Sequence, residues 1–340
     1  EVMKRVLILS LVSVFTLTLW ADGGVFPPPG IYVGEPYQYA IIEYGGSQEI
    51  LHLLINVASD AGSFGWIVPF PSKPVIEEDT IAVFEQIEEM CRPGYEGFSC
   101  GVIYDGGYYD GHGVKVIEEG SVGILSYEII EADDPDTLFT WLSENDYWIA
   151  DSADTAEARE VFRDYIQRDW VFVAFSVQEI PRDNSINVQP VKFTFTSSQI
   201  VYPMRITSLN VNPDYDYRYD YGLLIHVIAE HRVKLEQDAG IHLEYYYANK
   251  LNKSEYEAVK KNYPFVAEVC KEGDFITRLG SYYYDPGEIN SDLVFIYAED
   301  DMESNNQYYS GLIIFPILPF AFVAGLSLRS RRLFRRKRKR

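Results

Sequence analysis

The sequence predicts an α+β body of mostly antiparallel sheet with a few packed helices, followed by one C-terminal transmembrane helix. Three observations carry that expectation. Runs rich in β-branched and aromatic residues come in hairpin-like pairs. Helical stretches fall between those pairs with no β-α-β rhythm, and no internal repeat of fixed period is present. Gly311 to Leu328 holds 18 residues without a charge, which rise roughly 27 Å as a helix, close to the ~30 Å of a bilayer's hydrocarbon.

Taken in order, YQYAIIEY (37–44) and EILHLLINV (49–57) are strand-like runs split by Gly45-Gly46-Ser47, a hairpin signal. Trp66 to Phe70 reads as an edge strand, or one that leaves its sheet at Pro69, because proline cannot donate to a ladder. Asp79 or Thr80 can cap a helix that places Val83, Phe84, Ile87, Met90 and Cys91 on one face. Residues 92–113 are glycine-rich and aperiodic, a surface loop. Val114–Glu119 and Ile124–Ile130 are the next strands. Asp133-Asp134-Pro135-Asp136 then supplies cap and first-turn proline for a short helix with Leu138, Phe139 and Leu142 inward. Ala158, Val161, Phe162, Tyr165 and Ile166 mark a second, better helix. Further strands are expected at Trp170–Val177, Lys192–Thr196, Ile200–Leu209, Leu223–Val233, Ile241–Tyr247 and Leu293–Tyr297, with a helix from Ser254 to before Pro264.

Both chain ends point to export. Lys4 and Arg5 precede the apolar run from Val6 to Trp20, a secretory type of leader spanning residues 3–21, with Ala21 as the candidate cleavage position. Arg329 opens a tail of nine Lys and Arg without an acid, a bias that stays on the cytoplasmic side. The expected order is therefore a leader, an extracytoplasmic domain (22–310), a span (311–328) and a basic cytoplasmic tail (329–340). Pro316 and Pro319 are tolerated in a membrane span. The chain is thus expected in the cell membrane as a single-pass protein, gripping the bilayer through 311–340 with its bulk outside.

Of 29 basic and 51 acidic side chains in the chain, residues 22–310 keep 18 and 50, a net charge of −32. Such a field repels nucleic acid and attracts cations and basic partners. Cys91 and Cys100 bracket a short loop containing Gly and Pro, and a disulfide there would remove about 2–3 kcal/mol of unfolded-chain entropy. Cys270 is left as a buried free thiol.

Chemical motifs are few. Gly97-Phe98-Ser99-Cys100-Gly101 fits the hydrolase G-x-S-x-G pattern, but a Gly/Pro loop precedes it and a β-like run follows, so the strained elbow is missing. His226 and His231 are five apart on one expected strand and face opposite sides. DYDYRYDYG (214–222) fails as an EF-hand, because Tyr219 stands where Gly is needed and Arg218 where an oxygen is needed. Asp105, Asp110, Asp214, Asp216 and Asp220 remain as loose calcium candidates, against a solvated acidic edge. No other cofactor is expected. Tyr245–Tyr247 and Tyr282–Tyr284 suit either sugar stacking or cross-strand packing. Asn252-Lys253-Ser254 is a glycosylation sequon.

ADGG (21–24), QYAIIEY, GWIVPFPSKP (65–74), VGILSYEIIEADDPDTLFTWLSENDY (122–147) and QIVYPMRITSLN (199–210) together resemble the family known as domain of unknown function 2330. The likeness covers about residues 21–235, leaving 236–305 as a possible second lobe. Its most specific part is the tryptophan–proline segment, here Trp66, Pro69, Pro71 and Pro74. The resemblance implies export and fold, and supplies no catalytic residues. The expected function is a membrane-anchored cell-surface protein with a non-enzymatic binding or scaffolding domain for an extracellular protein or glycan. The alternative is an extracytoplasmic hydrolase acting on envelope polymer through paired carboxylates; a third option is a C-terminal sorting signal removed by processing.

Overall fold

The computed structural model describes residues 24–26, 33–59, 63–92, 115–123, 125–145, 147, 155–178, 184–209 and 222–305. The chain begins with β1 (Gly24–Phe26), β2 (Val33–Tyr44), β3 (Gln48–Ser59), β4 (Ser63–Phe70) and β5 (Val75–Glu78), then α1 (Ile81–Cys91). A hairpin of β6 (Lys115–Val122) and β7 (Leu125–Glu131) leads to α2 (Pro135–Glu144) and α3 (Thr155–Gln167). Strands β8 (Val171–Gln178), β9 (Asn184–Asn187), β10 (Val191–Thr196) and β11 (Ile200–Tyr202) follow. After β12 (Gly222–Ala229), β13 (Val233–Leu235) and β14 (Glu244–Lys250) come α4 (Lys253–Asn262) and the single turn α5 (Val266–Val269). The described part closes with β15 (Phe275–Ser281), β16 (Leu293–Tyr297) and β17 (Ser304–Asn305).

These strands make three sheets among the described residues. One runs β1-β4-β8-β7-β6, and a small one runs β11-β16-β13. The large sheet runs β17-β14-β15-β12-β2-β3-β10-β5, with β9 also on β3. Every pairing is antiparallel except β2 with β12 at the centre of the large sheet. The expected α+β class with mostly antiparallel sheet is what the structure has.

Alternation along the strands explains the layering. On β2, Ala40 and Ile42 face the five-stranded sheet, while Tyr39 and Ile41 face the helices α1, α4 and α5. On β8, Val173 and Phe175 meet the large sheet, while Phe172 and Ala174 meet α2 and α3. The result is helices, sheet, sheet, helices, with the small sheet packed at the side of the central layer. Trp66 lies in the central core, stacked on Phe175 with ring centroids 4.7 Å apart. A buried carboxylate ties the small sheet to α3: Asp292 accepts from the Tyr165 hydroxyl at 2.6 Å, Arg168 at 2.9 Å and the Arg205 amide at 3.0 Å.

The helices start where their caps stand. Thr80 accepts from the Ala82 amide, Asp134 from the Thr137 amide, and Asn252 forms a capping box with Glu255. Four strand expectations change. The stretch 200–209 is a strand only to Tyr202; Pro203 cannot extend the ladder, and Arg205–Leu209 turns as a 3-10 helix. The stretch 223–233 is two strands broken after Ala229, and the strand expected from Ile241 begins at Glu244. Strand β4 is interior, not an edge, where β1 pairs Gly65 to Ile67; past that point β8 alone accompanies it, so Pro69 falls where one neighbour has ended. Residues 236–305, which the sequence left open as a second lobe, supply β14, β15 and β17 to the large sheet and β16 to the small one. The expected span and the leader lie outside the described residues. Among the described residues no helix is long and apolar enough to cross a membrane.

Candidate functional site

An open concavity among the described residues lies between β13, β14 and the turn at Pro286–Glu288. It has a volume of about 570 Å³, within the range of small-ligand sites. Leu235, Ile241, Leu243, Tyr245 and Leu279 provide its apolar surface; Glu236, Asp238 and Glu288 give it acid, and Gln237 and His242 complete the lining.

Local chemistry fixes its wall. The Asp238-Ala239-Gly240 stretch is a turn in which Asp238 accepts the Gly240 amide at 2.8 Å. Gly240 sits at φ +80°, and a side-chain carbon there would fall 1.7 Å from the Glu288 carbonyl oxygen. Only glycine lets these two backbones meet. The Asn290 amide donates to the Ala239 carbonyl at 3.1 Å, and the Glu236 amide donates to Val294 at 2.8 Å. On the other side, Asp285 caps the turn by accepting from Gly287 at 2.9 Å. Burial raises the Tyr245 hydroxyl above its ordinary range, against the pull of Arg232, whose guanidinium lies 5.8 Å from the ring centroid.

Two polar groups of residues lie on the helical face of the large sheet, away from the cleft. In the first, His52 is buried on β3. Its Nδ1 is 2.7 Å from Asp79 Oδ2 and its Nε2 is 2.9 Å from Glu43 Oε1. Burial opposes the ring's charge, but the hydrogen bonds and charges of Asp79 and Glu43 outweigh it and raise the pKa to about 8. In the second, Glu88 of α1 is buried and accepts from Tyr39 at 2.6 Å and from Arg278 at 2.7 and 3.2 Å. His226 of β12 lies beside it, Nε2 3.8 Å from Glu88 Oε2, with no hydrogen-bond partner for either ring nitrogen among the described residues. Burial, then the Arg278 charge, push its pKa well below the ordinary value. Sequence reading named neither His52 nor Glu88. The signals were there: His52 is the one titratable side chain inside LHLLINV, and Glu88 falls one helical turn from Phe84 on the apolar stripe.

The expected site residues fare variously. Asp105, Asp110, Asp214, Asp216, Asp220 and Cys100 lie outside the described residues. Cys91 is buried at the end of α1, where burial raises its pKa, and the expected bridge to Cys100 lies outside the described residues; Cys270 is likewise buried, with no disulfide among the described residues, and is pushed up to about 12 by burial and then by Asp274 and Glu43. Trp66 and Pro74 are buried, and Pro69 and Pro71 flank the end of β4. His226 is in β12, whereas His231 lies past its end and contacts Asp301 at 2.9 Å. Tyr246 and Tyr282 pack edge to face, centroids 5.6 Å apart, the cross-strand alternative to sugar stacking. Asn252 of the sequon uses its side-chain oxygen to cap α4. Among the described residues no group of three or more His, Cys, Asp or Glu is placed to hold a metal ion.

Comparison with known proteins places the chain in a family without giving it an activity. The profile described as "uncharacterized protein conserved in bacteria (DUF2330)" matches residues 21–296. The match runs past residue 235, where the likeness read from the motifs ended, and takes in the cleft. No curated protein matches the chain. The crystal structure of baculovirus P35 aligns over 79% of this chain and 98% of its own, at 10% identity and a TM-score of 0.34, a likeness that carries no argument.

Proposed function

The chain belongs to the DUF2330 family of uncharacterized bacterial proteins, and from that premise we propose an exported, single-pass membrane protein whose acidic body binds a ligand outside the cell. The cleft at Gly240 carries this reading. Its wall is set by backbone meeting backbone at Gly240 and Glu288, so little ordering cost is left for binding. An apolar surface with Tyr245, beside Glu236, Asp238 and Glu288, suits an amine placed next to an apolar body, the layout of a basic peptide segment. The net charge of −32 over residues 22–310 draws the same class of partner over longer range. Topology rests on the apolar run 311–328 and its arginine-rich flank. The hydrolase reading asks for two carboxyl groups converging on open space with one raised in pKa. Glu49, Glu85 and Asp274 are raised, each chiefly by burial, and none of them lines the cleft.

The test uses the full chain in bilayer discs and two synthetic probes, a Lys/Leu peptide and a Glu/Leu peptide of the same length. The expected result is slower amide exchange at 235–245 and 286–290 with the Lys/Leu peptide alone, reduced by Glu288→Gln and by Gly240→Ala. Equal effects of both peptides, or none, overturn the cleft reading. Protease added to intact cells is expected to digest residues 30–300; sparing them until lysis overturns the topology.

A further inference from the structure

Helix α1 is docked on the large sheet by a carboxylate at each end. At its C-terminal end Glu88 is held by Arg278 and Tyr39, and Arg278 keeps its charge at every pH the fold meets. At its start the carboxylate is Asp79, one residue before the cap Thr80, and its partner is His52. The other Asp79 oxygen accepts the Thr80 amide at 2.8 Å.

The two ring nitrogens of His52 face a carboxylate each, both within 3 Å. A charged imidazolium donates to both, whereas a neutral ring has a single N–H. On deprotonation one carboxylate therefore meets a nitrogen lone pair at hydrogen-bond distance, and the contact must open. Other groups around the ring do not take over this role. Across the sheet the neighbours of His52 are Ile41 on β2 and Lys192 on β10, and Lys192 pairs with Glu77 of β5 at 3.0 Å. From the segment after α5, Cys270 and Asp274 approach Glu43, and the negative charge of Glu43 raises both, after burial. What remains at Asp79 without the proton is the Thr80 amide on its other oxygen, its own amide bond to Pro190 and the Gln189 contact to its carbonyl, all of them to the backbone or side chain of loop residues rather than to the sheet strand β3.

We infer that Glu43, His52 and Asp79 form a proton-dependent clasp that holds the start of α1 on the sheet while the ring is protonated and loosens it when alkaline pH removes the proton. The device stands apart from the cleft and does not depend on that reading. The sign follows from linkage. The folded pKa of about 8 lies above the ordinary 6.5, so the clasp is fully closed below pH 6.5 and is lost as the pH rises through 8. Its weight is an equilibrium shift of roughly 30-fold between those limits.

Hydrogen exchange of the full chain, corrected for intrinsic rates, reads both ends of α1 at once. Between pH 6 and pH 9 protection at residues 82–85 is expected to fall about tenfold, while residues 88–91 hold. In His52→Gln the two ends are expected to lose that difference in pH response, with low protection at 82–85 throughout. Asp79→Asn, which keeps the side-chain shape, is expected to lower the pH at which the start of α1 loosens. Protection at 82–85 that ignores pH, or falls together with 88–91, overturns the clasp, as does a His52→Gln chain with the wild-type pH response.

Discussion

Two histidines flank the same residue of the central strand. Ile41 of β2 stands opposite His52 on one side and His226 on the other, and both rings are buried on the helical face. Their charges are opposite in tendency. His52 meets two carboxylates and is held protonated past neutrality, whereas His226 meets a carboxylate already engaged by Arg278 and is held neutral. Burial of both rings is nearly the same, so the partners decide. The comparison also separates two ways of fixing one helix, a permanent ion pair at the end of α1 and a titratable contact at its start.

The largest break in this comparison comes from the permanent pair. Arg278→Met leaves the buried Glu88 carboxylate with the Tyr39 hydroxyl and the more distant Arg92 at 3.7 Å, and is expected to cost about 3 kcal/mol in urea unfolding. It also removes the charge that adds to burial in keeping His226 neutral, so the His226 pKa should rise part of the way back. His52→Gln is expected to cost about 2 kcal/mol at pH 6 and close to nothing at pH 9. His226→Leu runs the other way. Because the folded pKa of His226 is depressed, the wild type loses stability as the pH falls below 6.5, where the unfolded chain takes up the proton. The variant is expected to lose that acid-side fall, with a change of about 1 kcal/mol or less at pH 8. The smallest effect belongs to Glu77→Gln, which removes a half-exposed pair with Lys192. It is expected to cost under about 0.5 kcal/mol and to leave the His52 titration in place.

Much of the fold is legible in the residues and little of the site is. The alternation in KFTFT and LVFIY places β10 and β16, and Thr80, Asp134-Pro135 and Asn252 mark three helix starts. Local rules fail where a single residue interrupts a pattern, as Pro203 does after β11. They also fail where the answer depends on a distant strand. Pro69 reads as an edge residue, and whether β4 is an edge depends on how far the three residues of β1 reach along it. The clasp is of that kind: Glu43, His52 and Asp79 come together through the β2–β3 register and the turn into α1, and no spacing along the chain announces it. The cleft is legible in one place, the Asp238-Ala239-Gly240 turn, while Leu279 and Glu288 reach it through tertiary packing.

The most direct measurement of the central claim is a histidine ring titration by NMR on the full chain, from pH 5.5 to pH 9. The account predicts one buried ring with a midpoint near 8, which disappears in His52→Gln, and a second, His226, that stays neutral across the range. Two buried rings titrating together near 6.5, or a charged His226 at neutral pH, would contradict it.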